Sequence, residues 1–216
     1  MTTGHFITLE GGEGAGKSTL ARALAERLEG SGINVVVTRE PGGSPKAEAI
    51  RQTILSGQIK EHGPFVEALM FSAARIDHID RLIRPALARG DWVICDRFID
   101  STRAYQGELG SIDPGLLAEL ERVTIEGLLP DLTLILDLDP KIGLARAARR
   151  RAPGETRDRF ESEALAFHSK LRQAYLGIAQ SEPERCVVID ATQTPAALAE
   201  AAWLALRERL PIPQDA

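Results

Sequence analysis

Gly11-Gly12-Glu13-Gly14-Ala15-Gly16-Lys17-Ser18 fits the pattern G-x-x-x-x-G-K-[ST], and its flanks decide what the pattern means. Upstream, Phe6-Ile7-Thr8-Leu9 reads as a short apolar strand. Downstream, Thr19 to Glu29 reads as a helix with Leu20, Ala23, Leu24, Ala25 and Leu28 on one face. Strand, glycine-rich turn and helix, in that order, separate a phosphate-binding loop from a bare glycine turn. Backbone N–H groups from Gly11 to Thr19 can curl around a polyphosphate. The helix N-terminus adds a partial positive charge and Lys17 a full one, while the Ser18 hydroxyl can ligate magnesium. The chain is expected to bind a nucleoside triphosphate here.

Working outward, five β-rich runs recur: Phe6–Leu9, Val35–Thr38, Trp92–Cys95, Leu132–Leu136 with Leu138, and Cys186–Ile189. They are apolar throughout rather than at every second residue, which indicates a parallel sheet covered on both faces. Helices are expected over Thr19–Glu29, Ala47–Leu55, Phe65–Ala88, Pro114–Glu126, Lys141–Arg150, Ser162–Ser181 and Pro195–Arg209. Asp113-Pro114 supplies a cap and a first-turn proline for the fourth. The expected fold is three-layer α/β of the P-loop NTPase type: a five-stranded parallel sheet, helices on both faces and a short arginine-rich lid. One domain covers 1–210, with the lid at about 146–161 and a tail over 211–216.

The chain has 216 residues, 44% hydrophobic and 26% charged, as in ordinary globular proteins. A formal net charge of −5 argues against a nucleic-acid partner. Apolar runs such as Leu132–Leu136 are far too short to span a bilayer, so no membrane is expected. Cys95 and Cys186 each sit in a strand-like run and read as buried thiols rather than a disulfide. The first strand begins near the start, so no leader is expected, and the chain reads as cytoplasmic.

A phosphate loop alone leaves kinases, GTPases and motor or partitioning ATPases open. No N-K-x-D guanine motif is present. The third run ends Cys95-Asp96-Arg97, where hydrolytic ATPases carry Asp-Glu. An arginine cannot serve as a base there, but it can grip a second phosphate. That favours transfer to a phosphorylated acceptor, although a surface arginine at a strand end is the plain alternative.

Arg39-Glu40-Pro41-Gly42-Gly43 follows the second strand, and Asp96-Arg97-Phe98 with Ser101 and Ala104-Tyr105-Gln106-Gly107 follows the third. With the phosphate loop and Arg157-Asp158-Arg159-Phe160-Glu161, these segments resemble thymidylate kinases over Ile7 to about Glu161. The resemblance implies transfer of a phosphoryl group from ATP to thymidine monophosphate (TMP), with magnesium on Ser18, and Asp96 either reaching that magnesium through water or orienting Arg97. It implies that Phe71 stacks on the thymine ring and Arg75 hydrogen-bonds its O4. The two residues are four apart on a helix and share a face, although a core Phe71 and a surface Arg75 fit the pattern too. Arg97, with Arg39 beside it, would hold the acceptor phosphate. Ser101, Thr102 and Gln106 would lie near the base. Tyr105 would pack under the deoxyribose, where a 2′-hydroxyl would clash; a structural tyrosine is the alternative. Glu13, unusual inside such a loop, would lie near the acceptor sugar or an arginine. A homodimer is also implied, with Phe65–Ala88 as a candidate contact helix.

Arg146, Arg149, Arg150, Arg151, Arg157 and Arg159 crowd around Ala152-Pro153-Gly154. An arginine closing over the transferred phosphoryl group stabilises its equatorial charge. Arg150 and Arg151 are the first choices, then Arg157; a solvated basic helix end accounts for part of the cluster. Asp158 and Glu161 could face the acceptor or the metal, or serve as caps. No base is needed, because the acceptor is already an oxyanion, so positioning and charge neutralisation carry the chemistry. Phe98 stands where relatives carry Tyr or His, so no polar contact to the nucleotide comes from it. His5, His62, His78 and His168 read as surface or structural. The rivals are a kinase for another monophosphate and a nucleotide-dependent switch protein; Tyr105 argues against the first and Arg97 against the second.

Overall fold

A computed structural model of the chain describes residues 4–150 and 160–212. Val, Ile and Leu dominate five short runs that become the strands; the three inner ones are buried on both faces, while the two edge strands expose Val37 and Val188. They are β1 (Phe6–Gly11), β2 (Val35–Arg39), β3 (Trp92–Asp96), β4 (Leu132–Asp137) and β5 (Cys186–Asp190). Each is one or two residues longer at its C-terminal end than the apolar run suggests. All pair in parallel, in the order β2-β3-β1-β4-β5. In open sheets of this kind, ligands bind outside the carboxyl ends of the strands. The phosphate loop, the Arg39–Gly43 segment and the Asp96–Arg97 turn leave β1, β2 and β3 at that same end.

Helices α1 (Lys17–Gly30) and α9 (Pro195–Arg209) cover one face. Leu20, Leu24 and Leu28 of α1 pack with Leu198, Ala202 and Leu206 of α9 over Ile7, Leu9, Leu134 and Leu136. On the other face, Phe6, Val93 and Cys95 meet Ile79, Ile83, Phe98 and Ile99. Burying each large aliphatic or aromatic side chain contributes roughly 1.5–3 kcal/mol.

The helices α2 (Pro45–Leu55), α6 (Pro114–Ile125) and α7 (Pro140–Arg150) match their sequence patterns closely, and α8 (Leu165–Ser181) starts three residues later than expected. The Asp113 side chain caps α6 by accepting from the Leu116 N–H at 2.9 Å. Two expectations need correction. The single helix over Phe65–Ala88 is α3 (Gly63–His78), a π-helical stretch (Ile79–Ile83) and α4 (Arg84–Ala88). Pro85 has no N–H to give to the preceding turn, and a wider turn there accommodates the loss. The stretch after Asp96-Arg97-Phe98 is also helical, as α5 (Ile99–Thr102) and a second π-helical stretch (Arg103–Leu109). Its Ser, Thr, Tyr and Gly are weak helix formers, so packing overrides propensity.

Candidate active site

At Gly14, φ is +67°, and a Cβ there would come 2.0 Å from the Gly143 carbonyl oxygen. The loop thus lies directly against α7, and only glycine fits at the contact. Lys17, buried at the start of α1, folds back to donate to the Gly11 and Gly12 carbonyls at 3.0 and 2.9 Å. Burial and the nearby Arg97 guanidinium push its pKa down, against the pull of Asp96 and Glu13. The Ser18 hydroxyl donates to Asp96 Oδ2 at 2.6 Å, joining loop and β3 in an exposed pair of oxygens. Hard oxygen donors of this kind suit magnesium, which keeps several waters and takes few protein ligands.

A cavity of about 230 Å³ opens from this point, too large for a lone ion. Glu13, Ala15, Gly16, Lys17 and Ser18 line its phosphate-loop side, with Asp96 and Arg97 from the β3 end. Arg97 adopts φ +75°, the left-handed region, which costs a non-glycine residue about 1–2 kcal/mol. One guanidinium nitrogen donates to Glu13 Oε1 at 2.7 Å; the other reaches the Gly11 carbonyl, Ser101 Oγ and Tyr175 Oη at 3.1–3.3 Å. Its face lies over the Tyr105 ring, 5.4 Å from the centroid. Burial raises the Glu13 pKa, but Arg97 and then Lys17 outweigh it, holding this carboxyl below its usual range. Arg150 adds to that pull and lines the cavity too. Arg39 lines it opposite, held by Glu48 at 2.9 Å.

Phe71, Phe160 and Tyr105 form an aromatic wall, with centroids 6.4 Å apart for Phe71–Phe160 and 5.1 Å for Tyr105–Phe160. The Tyr105 hydroxyl faces Glu13 at 3.5 Å. Ser101, Thr102 and Gln106 also line the cavity, and Gln106 Nε2 donates to the buried Glu67 at 3.3 Å.

Arg75 is not among the residues that line this cavity. It is 3% exposed and lies behind the wall. Its Nε donates to Glu40 at 2.7 Å, and one Nη donates to the Phe98 carbonyl and Thr102 Oγ1 at 3.0 and 3.1 Å. Glu40 also meets His78 Nδ1 at 3.0 Å, and His78 Nε2 meets Thr38 Oγ1 at 2.8 Å. Two charged groups in the low-dielectric interior require partners, and this buried set ties α3 to the Arg39–Gly43 segment. Phe71 and Arg75 share a helix, but only Phe71 reaches the cavity.

Of the remaining expected residues, Gly11 and Gly12 lie beside the main cavity, along a smaller one next to His168, and Thr19 is exposed at the start of α1. Arg151, Arg157 and Asp158 fall outside the described residues. His78 and His168 are buried, His5 is half-buried and His62 is exposed.

Sequence reasoning passed over Glu10 and Tyr175. Glu10 is fully buried on β1, and burial, reinforced by Asp100, pushes its pKa up to about 7 despite Arg97. An acid between Leu9 and Gly11 in an apolar run was the available signal. Tyr175 lies far along the chain on α8, and no local pattern marks it.

The family model described as "Thymidylate kinase" matches residues 9–201. A curated protein of Rhodopseudomonas palustris named "Thymidylate kinase" is 60% identical over 208 residues, covering 96% of this chain and 90% of its own. One from Bradyrhizobium diazoefficiens with the same name is 58% identical over 207 residues, again 96% and 90%. The crystal structure of thymidylate kinase from Ehrlichia chaffeensis superposes with a TM-score of 0.76 at 33% identity, covering 94% of this chain and 99% of that one.

Proposed function

The chain belongs to the thymidylate kinase family, an ATP-dependent kinase that converts TMP to thymidine diphosphate, and from that premise we propose how its residues divide the work. The carrying observation is that one cavity joins a phosphate loop, two arginines and an aromatic wall. Lys17 and the loop N–H groups hold the ATP phosphates. Ser18, with Asp96, holds magnesium, which neutralises charge on the donor phosphates when bound. Arg97 and Arg39 align the acceptor phosphate, while Phe71 stacks on thymine, with Phe160 and Tyr105 continuing the wall beside it. Thr102 and Gln106 read the base edge, and Arg75 acts from behind by holding Thr102. Tyr105 fills the space a 2′-hydroxyl would need. Arg150, which lines the cavity, is the first choice for the transferred group, and Arg151 is the other candidate from the sequence. Without a base to supply, the protein's contribution is orientation and electrostatic stabilisation.

The protein pairs with a second copy through α3 and α6, where Leu69 and Ile76 on one helix and Leu116 and Val123 on the other are exposed large apolar residues. Such faces favour a homodimer contact. The site is in the cytoplasm: the two thiols, Cys95 and Cys186, are buried and unpaired, as suits a reducing compartment. No helix among the described residues is long and apolar enough to cross a membrane.

ADP release with TMP, UMP, CMP, GMP and AMP offered separately tests the assignment. Stimulation confined to TMP, with about tenfold more UMP use by Tyr105→Ala, supports it. Equal use of UMP by the unaltered enzyme overturns the role of Tyr105.

A further inference from the structure

Arg97 can grip an acceptor phosphate only if its backbone and guanidinium are both held, and the left-handed backbone is not an intrinsic preference of arginine. The Arg97 N–H continues the sheet ladder to the Leu9 carbonyl at 2.9 Å. The Phe98 N–H donates to Glu10 Oε1 at 2.7 Å, and the Ser101 N–H is shared between that oxygen at 3.3 Å and the Phe98 carbonyl at 3.2 Å. A carboxylate thus closes the N-terminus of α5, where backbone donors are otherwise left over.

The second oxygen, Oε2, accepts from the Ser101 hydroxyl at 2.7 Å and the Tyr175 hydroxyl at 3.1 Å. Each hydroxyl has a single proton. When both protons point at Glu10, both oxygens turn lone pairs toward Arg97 Nη1, which lies 3.3 and 3.1 Å away. An ionised Glu10 accepts all four bonds and so sets the direction of the whole relay.

We propose that Glu10 is a positioning residue for phosphoryl transfer, holding the Arg97 turn directly and orienting the Arg97 guanidinium through Tyr175 and Ser101. Tyr175 thereby couples α8, the helix that follows the 151–159 segment, to the acceptor end of the cavity. The inference rests on the proposed role of Arg97.

The groups facing Glu10 are Arg97 from the β3–α5 turn, Asp100 from α5, Tyr175 from α8, Lys17 from α1 and Cys95 from β3. Arg97 favours the ionised form, while burial and Asp100 oppose it. Glutamine at this position preserves shape and can still accept both backbone N–H groups. Its NH₂, however, donates to the hydroxyls and turns their protons toward Arg97.

The experiment is steady-state kinetics of the full chain at pH 8.5, where Glu10 is ionised, for Glu10→Gln, Tyr175→Phe, the double variant and Arg97→Ala. Glu10→Gln is expected to raise KM for TMP about tenfold or more, with KM for ATP within about threefold and the melting temperature maintained. The double variant should be no worse than Glu10→Gln alone, because a misdirected hydroxyl has nothing left to lose. The unaltered enzyme should gain kcat/KM for TMP as pH rises through about 7, and that rise should be missing in Glu10→Gln. Wild-type TMP kinetics in Glu10→Gln, or strictly additive losses in the double variant, overturn the proposal. If Arg97→Ala itself leaves KM for TMP unchanged, the assignment of Arg97 falls and this inference with it.

Discussion

Glu13 and Arg97 meet at 2.7 Å, an acid from the phosphate loop joined to an arginine from the far end of β3, 84 residues away. Each is only 16% exposed, so the pair is well shielded from solvent. An acid inside a phosphate loop repels the nucleotide unless something offsets it, and Arg97 does so here. The pair also keeps the guanidinium on the cavity wall.

Glu13→Gln tests that link. Losing one charge of a shielded pair leaves Arg97 without its counter-ion and lets it shift. The expected result is a fall in kcat/KM for TMP of about tenfold, equivalent to about 1.4 kcal/mol. Apparent ATP affinity should hold or improve, since a negative charge has left the loop. Initial rates with each substrate varied in turn separate the two effects.

The Ser18–Asp96 contact at 2.6 Å predicts a shared metal dependence. Asp96→Asn and Ser18→Ala should each lower kcat by about 10²-fold and shift the magnesium titration to higher concentration. A kcat loss with an unshifted magnesium curve would remove these two residues from the metal site and leave them as loop anchors.

Arg75→Ala should fail chiefly in stability. It strips one partner from the buried Glu40, leaving that carboxylate with His78. Breaking a buried pair in this way costs about 3–5 kcal/mol. Chemical denaturation should register the loss, whereas Phe71→Ala should mainly weaken TMP binding. Comparable stability of Arg75→Ala and the unaltered protein would place Arg75 at the cavity after all.

Glu10 makes stability depend on pH. Its carboxyl rises from 4.5 to about 7 on folding, so between those values the folded chain holds a proton that the unfolded chain has released. This contribution is complete below pH 4.5 and is lost as pH rises through 7. The melting temperature of the unaltered protein should therefore fall by several degrees relative to Glu10→Gln between pH 5 and pH 8. Parallel curves for the two proteins would show that Glu10 ionises as it does in water.

The element pattern was legible because it is local. Apolar runs of four to six residues, glycine stops and the Asp113-Pro114 start gave strands and helices close to their observed bounds. They missed what packing overrode, such as the helical turn over Ile99–Leu109 and the π-helical break before Pro85. The phosphate loop was legible for the same reason: its ligands are mostly backbone groups of one short segment.

Phe71, Tyr105 and Arg97 could be nominated from their motifs, and all three line the cavity. Arg75 could not be placed in that way. Sharing a helical face with Phe71 says nothing of Glu40, which arrives from β2 and takes Nε of its guanidinium.

By itself, then, the sequence determined the parallel α/β architecture, the phosphate loop and the family, because periodicity and short motifs act within a few residues. Only the tertiary structure decided which charges meet. Glu13 with Arg97, Glu40 with Arg75 and His78, and Glu10 with Tyr175 are separated by 35 to 165 residues. Each pairing exists because the sheet order brings the carboxyl ends of β1, β2 and β3 together and packs α3 and α8 against them. A buried charge is tolerated only where such a partner arrives, and no local pattern records which partner that is.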